Sequence, residues 1–368
     1  MSGESASGDA AENMAVKNAA KAFVNSLYSK VKEVDIKESA MNMHGKFNKF
    51  TGLERLDGFS IRDLFVDIFK HHSRDEVEAM FTVGTEATTP PIEEIDTTWP
   101  RPWMFFRLLA FTAIVYFLFN LSWETFKNAN LIPGLIMTGT IAVPLSALMF
   151  FFEINARRNV SLCAMIRLVV FGGIISLMAS LVLFELPISK MEFLGASVAG
   201  LVEEPAKLAA LLVVARSSKY RYKINGLLMG AAIGTGFAIF ESMGYAFRGL
   251  LVSKFDKDLM TDIIMTRGVL SPFGHIAWTA ICGAAFWRVK KDRPFTAKML
   301  ADGRFWHLAI VPVILHMLWN TDFTLPYCLK NIGLGLVAWI IILALIQEGL
   351  KELRQEKLAA FEKAKSEQ

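Results

Sequence analysis

The stretch Met191–Ala215 reads MEFLGASVAGLVEEPAKLAALLVVA, long and apolar enough to cross a bilayer, yet it carries Glu203-Glu204-Pro205-Ala206-Lys207 at its centre. A hydrocarbon core about 30 Å thick takes roughly 20 apolar residues as a helix. An ionisable side chain near its middle costs about 3 kcal/mol or more, so it is a functional hypothesis by default. Glu203 and Lys207 are four residues apart, share a helix face and are placed to pair. Glu204 points about 100° away from Glu203 but still reaches Lys207. Pro205 removes a backbone donor and frees a carbonyl, which is tolerated in a membrane only where neighbours or water satisfy it. The stretch therefore predicts a membrane helix that borders a wet cavity.

Outward from it, the chain divides at Trp103: the first hundred residues are polar, and the apolar runs begin there. By the same length criterion there are about eight candidate spans. They are Trp103–Trp123, Leu131–Phe152, Ser161–Phe184, Met191–Ala215, Gly226–Phe247, Ser271–Val289, Phe305–Phe323 and Ile332–Gln347. Leu250–Leu270 holds Lys254, Asp256, Lys257, Asp258 and Asp262 and reads as an external loop with an interfacial helix. The expectation is an all-α, polytopic membrane protein preceded by a small cytoplasmic helical region. Residues 1–83 form that region, 84–101 a linker rich in Pro, Thr and Glu, 102–347 the membrane body, and 348–368 a charged cytoplasmic helix. Within 1–83, Ala15–Val34 has amphipathic helical spacing, and Ser60/Asp63 and Ser73/Glu76 read as helix starts with a capping acid. His71-His72 reads as a solvated pair.

The bulk composition agrees. The 368 residues are 53% hydrophobic, with a mean hydropathy of +0.39. A net charge of +4 gives no basis for nucleic-acid binding. Cys163, Cys282 and Cys328 show no metal-type spacing and read as small buried hydrophobes. The basic residues report topology instead. Arg157-Arg158 follow the second span; Arg216, Lys219, Arg221 and Lys223 the fourth; Arg288, Lys290, Lys291, Arg293, Lys298 and Arg304 the sixth. The alternate loops carry Lys127, Lys190 and Lys330 apart from the mixed-charge 250–270 segment. Both termini are therefore expected in the cytoplasm.

Three further clusters accompany the glutamate pair. Glu241 lies in the fifth span, behind a ridge of Gly226, Gly230 and Gly234 that lets a neighbouring helix, expected to be the fourth, approach closely. His275 opens the sixth span after Ser271-Pro272-Phe273-Gly274, and His316 shares a face with Asn320 in the seventh. A single intramembrane histidine is more often a helix–helix hydrogen bond than a ligand. Here four successive spans each carry an acid or an imidazole, while the others carry almost none, and that convergence favours one shared site. Two hydrolytic schemes fit: a glutamate as general base with a His and an Asn stabilising the oxyanion, or two Glu and two His holding a divalent metal such as zinc. Zincin and serine-elbow motifs and paired intramembrane aspartates are absent. Intramembrane Glu, Lys and His also build proton relays, so a proton-coupled transporter or channel is the rival reading, and a non-catalytic membrane scaffold a third. The inverted repeat that a transporter favours is not visible.

In order and spacing, Glu203-Glu204-Pro205-Ala206-Lys207, Gly234 through Phe240-Glu241, Arg267-Gly268 through Phe273-Gly274-His275, and Leu315-His316-Met317-Leu318-Trp319-Asn320 resemble the PrsW family of intramembrane proteases. That family is related to the prenyl endopeptidases and the bacteriocin-processing proteins. The resemblance covers about residues 191–322. It implies an intramembrane endopeptidase that cleaves membrane-anchored proteins, a single-span regulator among them, at a site-specific bond within the bilayer. Carried over by position, Glu203, Glu204, Lys207 and Asn320 are the expected catalytic residues. Glu203, Glu241, His275 and His316 are the expected ligands of a divalent metal, zinc being the natural choice. Residues 1–100 match no familiar pattern.

Overall fold

The same arithmetic that places the spans explains the helices of the computed structural model, which describes residues 51–53, 56, 58–187 and 191–367. The expected Ala15–Val34 helix and Lys190 lie outside the described residues. Leu53–Gln368 clusters as one compact unit. Among the described residues there is no strand, and the regular elements are helices. They are α1 (Arg74–Phe81), α2 (Met104–Phe126), α3 (Ile132–Glu153) and α4 (Leu162–Leu183). After these come α5 (Val198–Val214), α6 (Lys223–Val252), α7 (Lys257–Leu270), α8 (His275–Lys290), α9 (Gly303–Trp319) and α10 (Leu329–Ser366).

Each expected span has its helix, but six described segments are long and apolar enough to cross a bilayer by themselves. α5 and α9 have 17 residues each and rely on their neighbours. The protein is an integral, multi-pass membrane protein. The 250–270 segment, expected as an external loop with an interfacial helix, carries a helix, α7, but packs it into the bundle. Asp256 caps α7 through the Asp258 amide at 3.1 Å. Met260 and Ile264 of α7 are buried with Ile132, Leu135 and Ile136 of α3 and Ala246 and Leu250 of α6. Lys257 turns to Glu124 and Asn120 of α2 and Arg267 to Glu241 of α6, so charges that read as solvent-facing in the sequence are spent on neighbouring helices. A short turn, Ser271–Phe273, then feeds α8.

The glycine ridge packs against the sixth span and not the fourth. A Cβ at Gly226, Gly230 or Gly234 would collide with the backbone of Gly283, Thr279 or His275, all on α8. This close approach sets the register between α6 and α8 and fixes the depth of His275. The other side of α6 meets α4, where Gly236 abuts Val169 and Gly173 beside a π-turn at Leu168–Gly172. α5 packs between α4 and α9, with Gly200 against Val313 and Met317. At the periphery, α2 packs Tyr116, Phe119 and Trp123 against the core and presents Phe111, Ile114, Leu118 and Leu121 to lipid.

The basic loops gather at one end of the bundle, where they hold chain segments read as spacers. Arg157 donates to the carbonyl of Pro90 at 2.5 Å, Lys219 to Gly84 at 3.1 Å and Lys357 to Ile95 at 2.8 Å, so the 84–101 segment is strapped across that end. α10 runs unbroken past residue 347; Glu348 pairs with Arg288 at 2.6 Å and Glu356 with Arg221. Before the strap, Ser73 and Glu76 form the expected reciprocal cap, at 3.2 and 2.8 Å. Ser60 opens only a short turn, Ile61–Leu64, with no side-chain cap. His72 is not solvated: it stacks on Trp103 at 3.7 Å. Of the cysteines, only Cys282 is buried; Cys163 and Cys328 are exposed.

Candidate active site

Glu203 and Glu204 sit one turn into α5, Glu241 in the second half of α6, His275 at the first residue of α8 and His316 in the last turn of α9. These positions fall at the end of the bundle away from the basic loops. Helix geometry turns the glutamates to different neighbours. Glu204 faces α9 and accepts a hydrogen bond from His316 Nδ1 at 2.8 Å. The buried Lys207 ammonium pairs with Glu204 at 2.5 Å, and the expected Glu203–Lys207 pair does not form. The i,i+3 spacing wins because that face points into the bundle, while Glu203 is rotated toward a cavity.

That cavity has a volume of about 420 Å³ and is lined by Glu203, Glu241, Arg267, His275, His316 and Asn320 among others. Its apolar wall includes Leu177 and Leu181 of α4 and Phe184 just after it. A wet cavity was expected beside Pro205, but Pro205 is exposed and turned away from it.

The imidazoles turn opposite nitrogens to carboxylates. His316 Nδ1–H donates to Glu204 at 2.8 Å, and its Nε2 lies 3.7 Å from Glu203 Oε2. His275 places Nε2 3.0 Å from Glu241, so Nδ1 is its accepting nitrogen, 3.9 Å from Glu203 Oε2 and 3.0 Å from Lys207 Nζ. Each ring thus spends one nitrogen on a carboxylate from another helix, the arrangement that orients histidine toward a metal. Aromatic walls fix the rings: Trp278 stacks on His316 at 4.3 Å, and Phe237 lies 4.9 Å from His275.

The structure tests the fit of a metal directly. Glu203 Oε2 is buried and has no hydrogen-bond partner among the described residues. Glu203, His275 and His316 each offer a ligand atom within 4.8 Å of the others. Tetrahedral zinc with bonds of about 2.0–2.2 Å needs donors of this type at close to this spacing. Three carboxyl groups, Glu203, Glu204 and Glu241, face two fixed cations, Lys207 and Arg267, so the donor set holds one more acid than base. Glu241, expected as a fourth ligand, lies outside that group, 3.0 Å from His275 Nε2 and paired with Arg267. A family model described as PrsW family intramembrane metalloprotease matches residues 143–346. The chain belongs to that family. The PrsW match starts inside α3 and ends inside α10, so α1, α2 and the strap lie outside it. No curated protein and no solved structure matches the chain.

Sequence reasoning quoted Arg267 in a motif but gave it no role. It donates to Glu241 and, through Nε at 3.0 Å, to Ser242, while its guanidinium lies over Tyr245. The reading of 250–270 as an external loop with an interfacial helix hid it. Trp278 was missed because an aromatic in an apolar span carries no signal of its own.

Proposed function

We propose that this intramembrane protease cleaves membrane-anchored proteins at a divalent-metal site held by Glu203, His275 and His316. The observation that carries the reading is the unpartnered, buried Glu203 oxygen with two pre-oriented imidazole nitrogens within 4 Å of it. When bound, the ion supplies Lewis acidity for the scissile carbonyl and makes water acidic enough to attack near neutral pH. Zinc suits this donor set.

The chain's own residues divide the remaining work. The apolar side of the cavity receives the substrate segment, with α4 between it and lipid. The Asn320 amide, on the cavity wall, is placed to polarise the scissile carbonyl. Glu204 and Lys207 form a buried ion pair that keeps His316 in its tautomer. With Glu203 engaged as a ligand, Glu241 is the other carboxylate on the cavity wall. It takes the proton from the attacking water and returns it to the leaving amine. Arg267 fixes the Glu241 carboxylate. In this reading the basic loops face the cytoplasm, as do both termini, and the site lies nearer the outer face.

The test is a split between two glutamates. Glu203→Ala and His316→Ala lose both zinc and cleavage of a co-expressed single-span reporter. Glu241→Gln keeps zinc, weakened by no more than about 10–100-fold, and loses turnover. Folded Glu203→Ala and His316→Ala variants that cleave at the full rate overturn the site. Loss of zinc from Glu241→Gln as complete as from Glu203→Ala makes Glu241 a ligand after all.

A further inference from the structure

Ahead of the membrane body, residues 61–70 carry large apolar side chains on the outside of the protein. The stretch is one short helical turn, Ile61–Leu64, followed by further turns. Ile68 is buried, yet Ile61 is 70% exposed, Phe65 50% and Phe69 86%. Single exposed apolar residues need no explanation, but several in one short stretch form a patch, and such patches mark interaction surfaces.

Contacts with α2 fix where this patch stands. Arg107, in the first turn of α2, donates to the carbonyl of Lys70 at 2.7 Å. The Arg107 guanidinium lies over Trp103 at 4.6 Å, and His72 stacks on the same indole at 3.7 Å. Phe69 meets Phe106 of α2 edge-on, with ring centres 6.0 Å apart. Phe106 is itself exposed, as are Ile114 and Phe117 further along that membrane helix. A ring in contact with the first turn of a spanning helix stands at the edge of the hydrocarbon, the level at which aromatic side chains collect. The patch is thus continuous with the lipid-facing surface of α2.

We infer that Ile61, Phe65 and Phe69 dip into the bilayer beside α2 and anchor this stretch to the membrane surface. The partner is phospholipid, at the bundle end that carries the basic loops. Arg62 and Lys70 balance Asp63 and Asp67, so residues 61–70 have no net charge with which to select anionic lipid. Burial of apolar surface drives the contact, and salt, which screens exposed charges, leaves it unchanged. Phe59, just before the stretch, lies 4.6 Å from Trp99 of the strap, so the same anchor holds the strap to the membrane. It is independent of the chemistry in the site.

Spin-label accessibility in the full chain, in phosphatidylcholine nanodiscs, tests the anchor. The background is Cys163→Ser/Cys328→Ser, with Cys282 left in place because it is buried. Nitroxides are attached at Phe65→Cys and Phe69→Cys, and at Glu78→Cys on α1 as the water-facing control, where the side chain is exposed. Oxygen concentrates among acyl chains, and a neutral nickel chelate stays in water. Oxygen is expected to relax the labels at 65 and 69 more than nickel does, with the order inverted at 78, in low and high salt alike. Nickel ahead of oxygen at 65 or 69 puts the patch in water and overturns the anchor. Low access to both reagents means that another part of the chain or a second copy covers the patch, and overturns it too. The unsubstituted chain supplies a second measurement should the labels disturb the stretch. A phosphatidylcholine with a diazirine in its acyl chain is photolysed in the same discs, and mass spectrometry maps the adducts. Adducts on residues 61–69 as well as on α2 are expected; adducts on α2 without them overturn the anchor.

Discussion

Replacing Glu204 by Gln separates the two tasks given to that carboxylate. Glu204 Oε1 accepts from Lys207 Nζ at 2.5 Å and from His316 Nδ1 at 2.8 Å, and all three side chains are buried. Removing one partner of a buried ion pair costs about 3–5 kcal/mol because the other charge is stranded. Losing the carboxylate that orients a ligating histidine weakens metal binding about 10–100-fold. Glu204→Gln is therefore expected to lower both thermal stability and zinc affinity. The informative partner is Lys207→Met, which by itself strands Glu204 but also removes an ammonium 3.0 Å from His275 Nδ1. That single variant binds zinc more tightly than wild type while unfolding more easily. The double variant has the wild-type net charge, so its stability returns close to wild type. Its zinc affinity still falls about 10–100-fold below that of Lys207→Met, since His316 has lost its acceptor. Unfolding in micelles and zinc titration against a competing chelator measure the two axes. If Glu204→Gln weakens zinc in the wild-type background but not beside Lys207→Met, the effect ran through the lysine, and the orienting role is refuted.

Other outcomes follow from the same geometry. Stripping the protein with a chelator abolishes reporter cleavage, and stoichiometric zinc restores it; cleavage at the full rate in the stripped protein counts against the metal reading. Gly234→Ala forces a methyl onto the His275 backbone; with overpacking costing about 1–3 kcal/mol, it lowers zinc affinity as well as stability. Gly226→Ala, which meets Gly283 two turns away from His275, lowers stability with zinc affinity spared, and equal losses of zinc affinity would argue against a register role for Gly234. Asp302, which caps α9 outside the membrane through the Arg304 amide at 2.9 Å, is held down to about 2 by its bonds to Arg304. An acid with a depressed folded pKa stabilises above its unfolded value, near 4, and that contribution fades as pH falls from about 4 to 2. Asp302→Ala is therefore less stable than wild type at pH 7 and converges with it near pH 2; a gap that persists at the acid end refutes the linkage. Glu153 accepts the Trp103, Met104 and Phe105 amides at 2.8 Å each, so Glu153→Ala loosens α2 while zinc binding, far from this cap, is unchanged.

Much of the site was legible because lipid makes charge conspicuous: Glu203, Glu204, Lys207, Glu241, His275 and His316 each stood out against an apolar run. What periodicity could not supply was direction. The 3.6-residue repeat allows Lys207 to meet either glutamate, and only the position of α9 decides for Glu204. Glu241 was expected as a ligand by its position in the family motif; that Arg267, from a segment read as an external loop with an interfacial helix, also reaches its carboxylate was not legible. The glycine ridge announced a close helix contact but not with which helix, since any small-residue stripe fits any neighbour. The number of full-length spans was likewise beyond hydropathy alone, as α5 and α9 are short helices sheltered by others.

The pairing of groups explains why convergence in the sequence was informative. Each histidine is tied to a glutamate on a different helix, Glu204 of α5 to His316 of α9 and Glu241 of α6 to His275 of α8. The site therefore depends on the relative register of two helix pairs. One helical turn is about 5.4 Å, so a slip of a single turn in either pair would break that pair's hydrogen bond. The register of the second pair is fixed independently by backbone contact at Gly226, Gly230 and Gly234. A structural role for either histidine alone would need only one partner carboxylate. It would not leave a third, Glu203, buried beside both rings with an oxygen that bonds to neither. That unspent acceptor, set between two imidazoles, is what favours the proposed metal centre over a set of helix–helix ties.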